Sequence, residues 1–522
     1  MRVHPPMLHQ SATIALTDGR LRAIGMIQRP SARLSRMPAT VPSSALAHAA
    51  SLAEFVEAAP SSYHAAVEVR RQVQAAGFTE LRESEPWQIK PGGYVVVRDG
   101  AVIAFFVPEG TVSTAPCTIL GTHTDSPSFK LKPGGTTRAF GTAQVGVEIY
   151  GGPLLNSWLD RELEFAGRVV TADGACHLVR SGPLARIPQL AIHLDRTVND
   201  GLTLDKQRHT QPIIAVGDMG EPDGAHVADL FDYLLPDGVS TKAVAGFDVF
   251  LADTAAPRVF GAGDTMFASP RLDNLLSTHA AMAALLKVAG TTSNEPGTAA
   301  PADPEWSVKP ALVEPALIEP VQDANAVVSF AAGAEGTSST DGRAGLPSIA
   351  MLVAFDHEEI GSESRSGAAG PFLAEVLERL YFALGTTSEQ RCQALAESLL
   401  VSCDVGHGVH PNYADRHDPA VQPVVGGGPI LKLNANQRYA TDAFGAARWK
   451  AACAAAGVPS QDFVSNNAIP CGSTIGPLAA TRLGIRTVDV GVPILSMHSA
   501  RELTGTVDPW YLMRAMTELL RG

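Results

Sequence analysis

Apolar positions recur at helical spacing from Leu46 to Ala59 and again from Tyr63 to Ala76, where Gly77 supplies a left-handed stop. Short runs rich in β-branched and aromatic residues follow at Gly93–Val97, Val102–Val107 and Thr118–Gly121 and predict strands. From about residue 145 to 264 the texture changes to many short β-like runs separated by turn residues, such as Gly146–Tyr150, Leu163–Val170 and Ile213–Val216. Strand and helix alternation resumes at Ser269, with a helical run over Asn274–Val288 and strongly apolar strands at Ser348–Phe355, Leu399–Cys403 and Arg486–Val492. The predicted fold is α/β, a twisted and mainly parallel sheet flanked by helices. It is formed discontinuously by residues 45–144 and 265–522, and a smaller β-rich domain, 145–264, is inserted into it.

Two segments fall outside this pattern. Residues 1–44 carry six arginines and one acid, Asp18. A basic, acid-poor start suits an organelle transit peptide, and suits equally a disordered tail or a chain that truly begins at Met37. Residues 290–346 hold six prolines between Pro296 and Pro320 and a near-repeat, ALVEP then ALIEP, and they read as a disordered insertion within the larger domain. At 522 residues the chain has room for two to four domains of roughly 150 residues each. Forty basic against fifty-three acidic residues gives a net charge of −13, which argues against a nucleic-acid or anionic-membrane surface. No apolar run approaches the roughly 18 residues of a membrane span. Six scattered cysteines without a CxxC pair suit reduced thiols, and the expected location is cytoplasmic, with organelle targeting as the alternative offered by the N-terminal extension.

Four apolar strands end in metal-capable residues. Cys117–Gly121 runs into Thr122, His123, Thr124 and Asp125; Ser348–Phe355 into Asp356, His357, Glu358 and Glu359; Leu399–Cys403 into Asp404 and His407; and Arg486–Val492 precedes Met497 and His498. Asp273 stands just ahead of the Asn274–Val288 helix. Functional groups in open α/β sheets gather beyond the carboxyl ends of the strands, so these clusters converge on one crevice. Histidines and carboxylates without a thiolate suit one zinc ion or two adjacent metals, and a metal pair requires a bridging carboxylate. Residues two apart on an extended segment point the same way, so Asp125 can take the second ring proton of His123. The adjacent glutamates Glu358 and Glu359 allow one to hold metal while its neighbour takes a proton. Lys432 alternates with apolar neighbours in Pro429–Asn434, which fits either an exposed strand lysine or a cation in the pocket. No GxSxG elbow and no GxxxxGK[ST] loop is present.

These stretches resemble the aspartyl aminopeptidase family of dinuclear zinc peptidases. The resemblance runs from about Ser51 to Leu520 outside the 290–346 insertion. It is carried by GTHTDSP at 121–127, IPQLAIHL at 187–194, SPRLDN at 269–274, DHEEIGS at 356–362, DVGHGVHPN at 404–412, NQRYAT at 436–441 and MHS at 497–499. It implies two zinc ions per subunit: His123 and Asp404 on one, Glu359 and His498 on the other, and Asp273 bridging. It further implies Glu358 as general base, Asp125 as the partner of His123, and His407, Lys432 and Tyr439 as substrate contacts. His193 of the inserted domain would reach a neighbouring subunit's site. The inserted domain would mediate dimer contacts within a dodecamer, and the substrates would be peptides with N-terminal Asp or Glu. Preference for neutral residues such as Leu, a related deacylase or carboxypeptidase, and a non-catalytic assembly or cargo protein are the alternatives.

Overall fold

The computed structural model describes residues 41–217, 228–291 and 347–522. The expected N-terminal extension and the 290–346 insertion lie, but for their inner edges, outside the described residues. A nine-stranded sheet forms in the order Thr79–Glu80, Gly92–Arg98, Ala101–Val107, Ile349–Phe355, Cys117–His123, Leu399–Cys403, Arg486–Gly491, Ile430–Lys432, Gln461–Phe463. Its centre is parallel: Cys117–His123 lies between Ile349–Phe355 and Leu399–Cys403, and Arg486–Gly491 follows. Antiparallel pairs flank that centre, through Ala101–Val107 on one side and Ile430–Lys432 on the other.

The central strands read as continuous apolar runs because both faces are covered, as parallel strands require. Every residue of Cys117–His123, Ile349–Phe355 and Leu399–Cys403 is buried. Successive side chains point to opposite layers. Leu120 and Leu352 pack with the helices Ser43–Ala58, Ser62–Ala75, Leu272–Thr291, Ala443–Ala456 and Asp508–Arg521. Ile119, Met351 and Val353 pack with Phe372–Ala383, Ser388–Glu397 and Ile475–Leu483. No helix among the described residues is long and apolar enough to cross a membrane.

The second sheet has six antiparallel strands in the order Cys176–Arg180, Leu163–Thr171, Val244–Asp253, Ser128–Ala139, Thr142–Tyr150, Ile213–Val216. Phe129, Trp158, Phe165 and Val249 fill its own core. It starts at Ser128, so the expected boundary at 145 falls inside a strand. Lys130, Lys132, Pro133 and two glycines hide the Ser128–Ala139 strand from an apolar pattern, and its ladder shifts register between Leu131 and Thr136. At the far end, Arg258–Phe260 and Met266–Ser269 already leave this sheet and pair with Glu502–Gly505. That three-stranded ribbon carries Asp273 and His498 toward each other from distant parts of the chain.

Candidate metal centre

His123 is the last residue of its strand and is in register with Phe355, so the Glu358–Ile360 turn emerges beside it. Asp404 directly follows the neighbouring strand Leu399–Cys403. All three groups therefore leave the carboxyl edge of adjacent parallel strands. Non-glycine residues with left-handed backbone, Arg271 (φ 55°), His357 (φ 64°) and His498 (φ 65°), flank or form the site. Such conformers cost of the order of 1–3 kcal/mol each and persist where the surrounding structure over-determines them.

The ligand atoms meet around Asp273. His123 Nε2 lies 3.2 Å from Asp273 Oδ1 and 3.5 Å from Asp404 Oδ1. His498 Nε2 lies 3.5 Å from Asp273 Oδ2 and 3.4 Å from Glu359 Oε2. The two oxygens of one carboxylate thus face two separate ligand sets. Two ligands about 2.0–2.1 Å from one tetrahedral ion stand about 3.3 Å apart, so these spacings fit zinc. Asp273 Oδ1, Glu359 Oε1 and Asp404 Oδ1 are buried and have no hydrogen-bond partner among the described residues. Three orphaned carboxylate oxygens around one buried site are costly unless a cation satisfies them. His123, Asp273 and Glu359 each place a donor atom within 4.8 Å of the others.

The electrostatics describe a site awaiting positive charge. Burial disfavours the imidazolium of His123, but Asp125, Asp273 and Asp404 outweigh it and hold its pKa well above the usual value. His498 behaves likewise against Asp273 and is raised to about 9. Burial, with Asp273 and Asp125 adding, pushes Glu359 well up. Burial also lifts Glu358 to about 8, with Asp404, Asp273 and Asp125 raising it further against the pull of His123. A divalent ion held here would compete with protons for the same lone pairs.

The support for the ligands differs in one detail from the expected His-x-Asp pairing. His123 Nδ1 lies 3.0 Å from the backbone carbonyl of Asp125 and 3.4 Å from its carboxylate. The strand ends at His123, so Asp125 no longer keeps the extended two-residue alternation. Its carboxylate instead accepts from Glu358 N–H (3.0 Å), Glu359 N–H (3.2 Å) and Tyr150 O–H (2.8 Å). Two residues that the sequence pattern did not single out hold the other half. Glu502, buried, accepts from His498 N–H (2.8 Å) and Asp273 N–H (3.0 Å), and the Gly152 carbonyl lies 3.0 Å from His498 Nδ1. Glu502 sits in an ordinary Arg-Glu pair, and Gly152 contributes only backbone, so neither carries a sequence signal.

Lys432 is 2 % exposed, which excludes the exposed strand lysine. Alternation assigns two environments, and here both are interior. Its ammonium donates to the Val405 carbonyl (2.9 Å), lies 3.5 Å from Asp404 Oδ2 and sits 5.5 Å from the Tyr439 ring centroid. Beside the ligands opens a cavity of about 260 Å³ lined by His407, His410, Arg416, His417, Tyr439 and Phe463, among others. No carboxylate is among its lining residues. His193 is exposed on the second domain, and no hydrogen bond or ion pair among the described residues joins it to the ligands.

The family model described as "Aminopeptidase I zinc metalloprotease (M18)" matches residues 55–302 and 313–519. A relative from Streptomyces avermitilis, named a probable M18 family aminopeptidase 2, is 47 % identical over 478 residues, covering 91 % of this chain and 98 % of its own. A chain in the cryo-EM structure of the Ape4 and Nbr1 complex aligns with a TM-score of 0.77 and 33 % identity, over 91 % of this chain and 86 % of that one. The mApe1 dodecamer of S. cerevisiae aligns with a TM-score of 0.70 and 25 % identity, over 91 % and 96 %.

Proposed function

Because this chain belongs to the M18 family of zinc metalloproteases, a family of aminopeptidases, we propose that it removes N-terminal Asp or Glu from peptides at a two-zinc site. The disposition of Asp273 carries the two-ion reading, since its oxygens face His123 and Asp404 on one side and His498 and Glu359 on the other. His123 and Asp404 would hold one ion, Glu359 and His498 the second, and Asp273 both. The three carboxylates offset most of the charge of two divalent ions. Zinc held there supplies Lewis acidity and lowers the pKa of bound water toward roughly 7.

The chain's own groups do the rest. Glu358 takes a proton from the attacking water and returns it to the leaving amine. Asp125 holds the Glu358 and Glu359 amides, which orients base and ligand together. Tyr439 at the cavity wall, or His193 of a neighbouring subunit, donates toward the developing oxyanion. The acidic preference rests on the cavity, whose lining holds Arg416 and three histidines and no carboxylate, although Arg416 also lies 3.8 Å from Asp415 outside it. Its apolar wall of Phe463, Ile469, Ile494 and Leu495 favours Leu-type substrates as the second reading. Lys432 is set against Asp404 and acts on specificity through that ligand and the Tyr439 wall.

The assembly is a homo-oligomer, with a dodecamer supported by the mApe1 relative. The β-rich domain supplies its dimer contacts. The test is release of X from X-Ala-Pro-Phe, with X as Asp, Glu, Leu or Lys, with zinc and after chelation. Chelator-sensitive release of Asp and Glu alone is expected. Release of Leu overturns the specificity and keeps the metal chemistry. Release of nothing by protein holding two zinc ions per chain overturns the enzyme.

A further inference from the structure

The chain leaves the six-stranded sheet at Tyr150 and passes directly over the metal centre. Tyr150 Oη donates to Asp125 Oδ2 at 2.8 Å. Burial, with Asp125 and Asp356 adding, raises the Tyr150 pKa, so it stays a phenol able to donate. Gly151 follows at φ 67°, and a Cβ there would stand 3.2 Å from Glu359 Cβ and 3.3 Å from Pro127 Cα. The Gly152 carbonyl lies 3.0 Å from His498 Nδ1. A carbonyl only accepts, so Nδ1 carries a ring proton, and Nε2 is the nitrogen left to face Asp273 and Glu359 and to bind a metal once its own proton is given up. Two further bonds tie the same segment to the His498 loop: Leu154 N–H to the His498 carbonyl (2.9 Å) and Ala500 N–H to Ser157 Oγ (2.8 Å).

Three consecutive residues of the inserted domain thus touch Glu359 and His498 directly and reach His123 through Asp125. We propose that Tyr150–Gly151–Gly152 is the positioning element of the metal centre, through which the inserted domain orders the two ion sites of the other domain. Tyr150 orients Asp125 and, through its backbone, His123. Gly151 leaves room for Glu359, and Gly152 selects the tautomer of His498. Outer partners of this kind typically change metal affinity roughly 10- to 100-fold when removed.

This inference rests on the two-zinc reading, and the experiment separates the two. Metal-free full-length protein is titrated with zinc against a chromophoric chelator, and cobalt-loaded protein is examined by visible absorption. Tyr150→Phe keeps the ring against Phe250 and removes only the hydroxyl. It is expected to bind zinc roughly 10- to 100-fold more weakly, with an altered cobalt spectrum and an unchanged Tm of the metal-free protein. Gly151→Ala is expected to weaken zinc binding similarly by pressing on Glu359, and it carries the test if Tyr150→Phe fails to fold. Wild-type affinity and an unaltered cobalt spectrum in the folded variants overturn the positioning role alone. Wild-type protein that takes up no zinc overturns the two-zinc reading and this inference with it.

Discussion

Glu358 and Glu359 are neighbours with different proposed roles, and their surroundings separate them. Glu359 sets Oε2 3.4 Å from His498 Nε2 and buries Oε1 without a hydrogen-bond partner among the described residues, whereas Glu358 has no ion pair with either histidine of the site. Glu358→Gln is therefore expected to retain two zinc ions by elemental analysis while kcat falls by roughly 10²- to 10⁴-fold. A near-normal rate sinks the base assignment. Asp273→Ala removes a carboxylate shared by both ligand sets and is expected to lose both ions together. Two zinc ions per chain in that variant contradict the bridge. Lys432→Met leaves Asp404 without its buried cation. It is expected to lower activity on Asp substrates more than on Leu substrates, and equal loss on both removes lysine from specificity. Sequence pattern brought out all five candidate ligands because each follows an apolar strand or opens a helix. It could not bring out Gly152 or Glu502, whose contributions are a carbonyl and a partner four residues away in a loop.

At the scale of elements, most strands and helices were legible because burial on both faces of the parallel strands leaves long apolar runs. Ser128–Ala139 was not, since its stability comes from pairing with two neighbours rather than from its own composition. The helices Ser43–Ala58 and Leu272–Thr291 meet through a pair of buried histidines, His48 and His279, with ring centroids 4.8 Å apart. His279 Nε2 reaches Ser51 Oγ at 3.0 Å, while His48 Nε2 and His279 Nδ1 have no partner among the described residues. Burial, with Lys287 adding, lowers His48 from 6.5 to about 4, and burial, with His48 adding, lowers His279 well below 6.5. The folded pKa lies below the unfolded one, so the stability from keeping these rings neutral is full above about pH 6.5 and is lost as pH falls toward 4. For His48 the shift corresponds to about 3 kcal/mol. His48→Leu is expected to flatten the loss of Tm between pH 7 and pH 4.5. Equal slopes in both proteins contradict this.

At the scale of the whole molecule, His193 is exposed far along the second domain and takes no part in its own chain's ligand set. If it serves a neighbouring subunit, His193→Ala keeps zinc but loses kcat, and so does Glu358→Gln. Mixing the two inactive variants under conditions of subunit exchange is expected to restore activity, because a site with intact Glu358 then receives an intact His193. No recovery, with exchange verified by mass photometry, argues that each site is complete within one chain. Dilution below the assembly threshold is expected to lower specific activity in the same way.

The clusters of metal-capable residues at strand ends, the α/β class and the presence of a β-rich insertion are local properties, written in residue type and periodicity, and the sequence by itself determined them. The spacing of His123, Asp273, Glu359, Asp404 and His498 is not local. It depends on which strands become neighbours and on the ribbon that joins Met266–Ser269 to Glu502–Gly505. The same holds for the burial of Lys432, the carbonyl of Asp125 taking the ring proton expected of its carboxylate, and the passage of Tyr150–Gly152 past Asp125, Glu359 and His498. Only the tertiary structure decided these, because long-range pairing sets distances that no pattern along a single chain contains.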